Sequence, residues 1–193
     1  MSPGTSTTPN LVELIERADE RGLAAAALAC LDRCLPLLDP EADDRLRPLW
    51  AAVAGGGADW ADRLAGVRAA VGAGAAPADA EEAAPVRRML EAAPGVWARE
   101  PLKEWAGTCS RTALELHRRL CPAPAPEDAG APDRDGADGR DAGPLAGGEM
   151  RRQAEVLEAL ADGAAAGLRR AVDLSAEGRR ITRAVLSRRA RTA

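Results

Sequence analysis

A chain of 193 residues suits one domain, or one domain with an appended element, and a net charge of −4 from 26 basic and 30 acidic side chains lacks the basic balance of a nucleic-acid binder. Hydrophobic residues reach 46%, much of it alanine, but aromatics only 2%: Trp50, Trp60, Trp97 and Trp105, with no Phe or Tyr. Ala, Leu, Arg and Glu dominate and β-branched residues are scattered, so the expected class is all-α: a helical bundle or short array of antiparallel helical hairpins.

Residues 1–8 have the composition of a disordered terminus, and a helical domain is expected over 9–121. Thr8 with Pro9, or Asn10 with Glu13, starts a helix carrying Leu11, Val12, Leu14, Ile15 and Ala18, which Gly22 ends. A second helix runs from Leu23 to about Leu38, with Pro36 breaking its last turn. Its apolar run from Leu23 to Leu31 is far too short to cross a bilayer. Asp39-Pro40-Glu41 restarts a helix that presents Leu46, Leu49, Trp50 and Val53. After Gly55-Gly56-Gly57, Asp59 caps a helix bearing Trp60, Leu64, Val67 and Val71. A short helix spans Pro85 to Ala93, and Glu100-Pro101 opens a long one to Leu120 with the stripe Leu102, Trp105, Cys109, Ala113 and Leu116.

Residues 122–148 are Pro, Ala, Gly and Asp with almost no large apolar side chain, which predicts a disordered acidic linker. An amphipathic basic helix follows over 149–193, divided near Gly178, and Gly163 to Gly167 makes a smooth strip for close helix packing. The hairpin rhythm is similar to tetratricopeptide or HEAT-like stacking in architecture only; the spacing is uneven and neither set of signature residues is matched.

The most pointed chemical pattern is Cys30-x-x-x-Cys34 with His117-x-x-x-Cys121. Each pair lies on one face of its helix, so if the faces meet, three thiolates and one imidazole surround a tetrahedral Zn²⁺. The competing reading is that buried cysteines serve as small hydrophobes. Cys109 and His117 are two turns apart, about 11 Å along the axis, too far for a thiol–imidazole couple. One histidine excludes the usual di-iron bundle. The triple glycine is not followed by Gly-Lys-Ser/Thr, and no Gly-x-Ser-x-Gly occurs, so phosphate-loop and serine-hydrolase chemistry are not indicated.

The opening residues carry neither the basic nor the apolar region of a secretory leader, and the expected location is cytoplasmic with reduced thiols. The expected function is non-catalytic: a helical adaptor, assembly or regulatory protein that binds a protein partner or a second copy through its last helix. The face for this is Leu168, Leu174, Ile181 and Val185, flanked by Arg179, Arg180 and Arg183. Two alternatives stand beside it. One is a structural zinc protein using Cys30, Cys34, His117 and Cys121. The other is nucleic-acid binding through the arginines of that helix.

Overall fold

Small and aliphatic side chains at almost every position from 23 to 31 leave that stretch without a polar face, and a helix that is apolar all round has to be buried on all sides. The computed structural model places it so. It describes residues 10–40, 44–74, 81–121, 143–162 and 164–192, and among these it is all-α, with eight α-helices and no strand. In chain order they are α1 (Leu11–Arg17), α2 (Glu20–Cys34), α3 (Arg47–Ala54), α4 (Trp60–Gly74), α5 (Ala83–Glu91), α6 (Arg99–Leu120), α7 (Gly143–Asp162) and α8 (Ala164–Thr192). Helix α2 is the axis of the molecule: α6, α7 and α8 pack round it, and α3 and α5 reach its sides. Leu23, Leu28 and Leu31 are completely buried along it. No described helix is long and apolar enough to cross a membrane.

Local chemistry explains most boundaries. Asn10 caps α1 by accepting the Val12 N–H at 3.3 Å. Asp19 caps α2 by accepting the Gly22 N–H at 2.8 Å, so Gly22 lies inside the first turn of α2 and does not end the preceding helix. Pro36 ends α2 as expected, through a 3-10 turn over Leu35–Leu37. The restart expected at Asp39-Pro40 comes later, at Arg47, with Pro48 in the first turn. Residues 41–43 lie outside the described residues.

Three tryptophans clamp the connection between α5 and α6. Trp60 meets Trp97 and Trp105 edge-on at centroid distances of 5.3 and 5.8 Å. Their indoles also hold backbone: Trp60 donates to Pro94 O at 2.7 Å and Trp105 to Met89 O at 2.8 Å. The Trp97 ring lies on Gly57, where a Cβ would fall 2.2 Å from the ring and φ is +89°. Arg68 adds hydrogen bonds to the carbonyls of Leu90, Glu91 and Ala93 and so caps the C-terminus of α5.

The last two helices pack on each other as a hairpin, and the second runs unbroken through Gly178, where a division was expected. Gly178 is instead the point where α8 touches the stem of Arg33, and a Cβ there would sit 2.2 Å from Arg33 Cδ. Gly167 packs on the backbone of α7, where a Cβ would fall 2.1 Å from Ala159 O. Residues 143–148, expected in the linker, form the first turns of α7, with Ala146 fully buried. Residues 1–8 and 122–142 lie outside the described residues. Val156, Ala171 and Leu174 belong to the same hydrophobic core as α2 and α6.

Candidate functional site

Within the most apolar stretch of the chain stand two charges, Asp32 and Arg33, and both are buried. Arg33 binds Glu149 of α7 bidentately: Nε donates to Oε2 at 2.7 Å and Nη2 to Oε1 at 2.6 Å, with both side chains fully buried. Gln153, one turn after Glu149, donates to Glu149 Oε1 at 2.9 Å and accepts from Ser110 Oγ at 2.6 Å. Asp32 accepts from Trp50 Nε1 at 3.2 Å and from Arg179 of α8 at 2.7 Å. Thr182 Oγ1 donates to Arg33 O at 3.0 Å. A chain of polar groups therefore links α2 to α6, α7 and α8 through an otherwise aliphatic core.

The cysteine and histidine positions fall around this cluster in part. Cys30 and Cys34 are buried beside Arg33, and Arg33 Nη2 reaches Cys30 Sγ at 3.5 Å. His117 is buried, with Nδ1 2.7 Å from Ala113 O; a carbonyl only accepts, so Nδ1 carries a proton. Its Nε2 stands 3.8 Å from Glu149 Oε2. Cys121 ends α6 and is half-buried. Among the described residues, no three His, Cys, Asp or Glu are grouped so as to hold a metal ion.

Burial governs the titration of these groups. It pushes the Cys30 thiol up to about 12, against the opposing pull of Arg33. It raises Cys34 well above the ordinary thiol value, with Glu149 and Cys30 adding to the effect, and it raises Cys109 in the same direction. Burial opposes ionisation of Glu149 too, but the Arg33 guanidinium outweighs it and holds the carboxyl below its ordinary value. Asp32 is raised, because burial there exceeds the attraction of Arg179. Protonated, enclosed thiols are poor nucleophiles.

The face expected to bind a partner is largely engaged within the chain. Leu174 is buried, and Leu168 and Val185 pack against the core. Ile181 is half-buried, Arg179 is ion-paired with Asp32, Arg183 is half-buried and Arg180 is exposed. Of the tryptophans, Trp60 is buried and Trp97 is half-buried beside it.

An open surface lies elsewhere. No residue of helix α1 is fully buried, although Leu11, Leu14 and Ile15 are half-buried. The helix is tied to α6 at one end, where Glu16 meets Lys103 at 2.6 Å and the Glu16 carbonyl accepts from Arg99 at 2.6 Å. Between the two helices runs a groove of about 590 Å³, walled by Leu11, Val12, Ile15, Pro101 and Gly107 with Ser110 at its base. Val12 is 62% exposed. Glu16, Glu100 and Glu104 line the groove beside Lys103 and Arg111, with Glu16 ion-paired to Lys103 and Glu100 to Arg99. A second groove of about 410 Å³ flanks α1 on its α7 side, lined by Leu14, Leu157 and Leu160.

Arg33, Glu149, Gln153, Ser110 and Asp32 were not among the residues the sequence singled out. The available signal was Asp32-Arg33 itself, a charged dipeptide inside an apolar helix. No protein-family model matches the chain, and no curated protein or solved structure is significantly similar to it.

Proposed function

We propose that this is a non-catalytic helical interaction protein that receives a basic amphipathic helix of a protein partner in the groove between α1 and α6. The observation that carries the reading is an apolar groove beside a helix none of whose residues is fully buried. Grooves of this kind take the apolar face of a helix, with anchors one turn apart. Three carboxylates against two cations among the lining residues favour a partner with lysine or arginine beside its apolar stripe. Enclosed, protonated thiols and a carboxylate held by Arg33 favour a structural role for the buried cluster over a catalytic one.

The test uses two synthetic peptides of identical apolar stripe, one flanked by lysines and one by glutamates, titrated into the full chain and followed by NMR. The lysine peptide is expected to shift Leu11, Val12, Ile15 and Gly107, and Val12→Arg to weaken it at least tenfold. Equal binding of both peptides, or shifts elsewhere on the surface, would refute the groove. The alternatives have direct tests as well. The zinc reading requires stoichiometric metal by elemental analysis, lost on Cys34→Ala. The nucleic-acid reading requires a salt-dependent shift of DNA that disappears when residues 169–193 are deleted. Arg170, Arg179 and Arg189 are already paired with Glu155, Asp32 and Glu82, which leaves that helix a smaller outward charge than its sequence shows.

A further inference from the structure

Two guanidinium groups from adjacent positions of α7 converge on one point. They stand three and four positions after Gly148, so both side chains lean back over it. Here, measured from the position a Cβ would occupy on Gly148, Arg152 Nη1 lies at 3.1 Å, Arg152 Nη2 at 3.8 Å and Arg151 Nη2 at 3.9 Å. Two cations that share a neighbour in this way repel, and an anion bound between them offsets that repulsion. The carboxylate nearest in sequence, Glu149, faces inward and is fully engaged with Arg33. No carboxylate among the described residues lies within ion-pair distance of Arg151, and Arg152 has only Glu177, at 3.9 Å.

The surroundings make a pocket of about 280 Å³ between α7 and α8. Gly148 and Leu174, both buried, form its inner wall. Arg170 reaches in from α8, ion-paired with Glu155 at 3.2 Å. Arg152 is well enclosed, with 16% of its side chain exposed. Three guanidiniums therefore face two carboxylates, one of them engaged at close range and the other only loosely. The absence of a side chain on Gly148 leaves room where the two forks meet.

We infer that Arg151, Arg152 and Arg170 form a binding site for a tetrahedral oxyanion of the phosphate class, seated over Gly148. Planar guanidinium forks match the paired oxygens of such an anion, and two forks from different directions suit a tetrahedral group better than a planar carboxylate. The site is separate from the α1–α6 groove and does not depend on the function proposed for it.

The full-length protein is titrated by calorimetry with inorganic phosphate, with O-phosphoserine and with acetate, at fixed ionic strength. Saturable binding of phosphate or phosphoserine, at least tenfold weaker in Arg151→Gln and in Arg152→Gln, is expected. Preference for free phosphate assigns the site to the small ion, and preference for phosphoserine to a phosphate carried on a larger molecule. Gly148→Ala separates this from a structural role. The methyl group occupies the anion's place and displaces only the end of the Arg152 side chain, while alanine favours the helix. Its melting temperature is therefore expected to hold or rise while anion binding falls at least tenfold. Absence of saturable binding in the wild-type chain, acetate binding as tightly as phosphate, or unaltered phosphate binding in Arg151→Gln and Gly148→Ala overturns the assignment.

Discussion

At the scale of single residues, the Arg33–Glu149 pair is the feature with the largest energetic consequence. Both charges are fully enclosed. Removing one leaves the other without compensation, so Glu149→Gln is expected to destabilise the fold by about 3–5 kcal/mol, read from the urea midpoint. Arg33 Nη1 is buried without a hydrogen-bond partner, so even the intact pair is not fully satisfied. Replacing both residues by Arg33→Met with Glu149→Leu is therefore expected to leave stability unchanged or raised, with the loss confined to the single variants. The pH dependence follows from the lowered Glu149 carboxyl. Above its ordinary value of 4.5 the group is ionised in both folded and unfolded chains, and its full contribution is present. As pH falls below that value the unfolded chain takes up the proton first, and the contribution is lost as pH passes through the lower folded value. Asp32, raised by burial, bends the curve the opposite way. Glu149→Gln should therefore remove the acid-limb loss expected of wild type in urea titrations below about pH 4.5.

At the scale of elements, two glycines decide how the α7–α8 hairpin sits. A methyl at Gly178 meets the stem of Arg33, and one at Gly167 meets the backbone of α7. Gly66 in α4 has nothing within 4 Å. Alanine at Gly66 is expected to stabilise by about 0.5–1 kcal/mol through helix propensity. Gly178→Ala and Gly167→Ala are expected to destabilise by about 1–3 kcal/mol through overpacking. Melting temperatures give the signs, and faster amide exchange in α7 locates the damage in the hairpin. The same glycines mark where sequence was legible. A small-residue strip ending at Gly167 signals a close helix approach by itself. Gly178 does not, because a helix break and a close packing partner put the same residue in the sequence, and only Arg33, 145 positions away, distinguishes them. Helix existence was readable from periodicity in nearly every segment. The boundaries at Asp19 and Arg47 depended on which of two competing caps or prolines the tertiary structure used. The candidate cluster was legible only in part. The i,i+4 spacing correctly marks Cys30 and Cys34 as neighbours, but pairing Arg33 with Glu149 needs a contact across 116 residues that no local pattern encodes.

At the scale of the whole molecule, the composition break at residue 122 separates stretches of sequence that share one core. Helix α2 has no face of its own to show to water, and α7 and α8 cover the sides of it that α6 leaves open. Cutting the chain after residue 121 removes the carboxylate that neutralises Arg33, the guanidinium that neutralises Asp32, and the apolar cover supplied by Val156, Ala171 and Leu174. Each loss alone is comparable to a sizeable fraction of the stability of a typical domain, about 5–15 kcal/mol. The 1–121 fragment is therefore expected to lose cooperative melting, bind a hydrophobic dye and self-associate. The full chain is expected to show a single calorimetric transition whose enthalpy matches the van't Hoff value. Calorimetry and light scattering on the two proteins, side by side, make the comparison. A fragment that melts cooperatively as a monomer would mean that α2 finds sufficient cover in α3, α5 and α6, and the hairpin would then be an accessory to the bundle instead of part of its core.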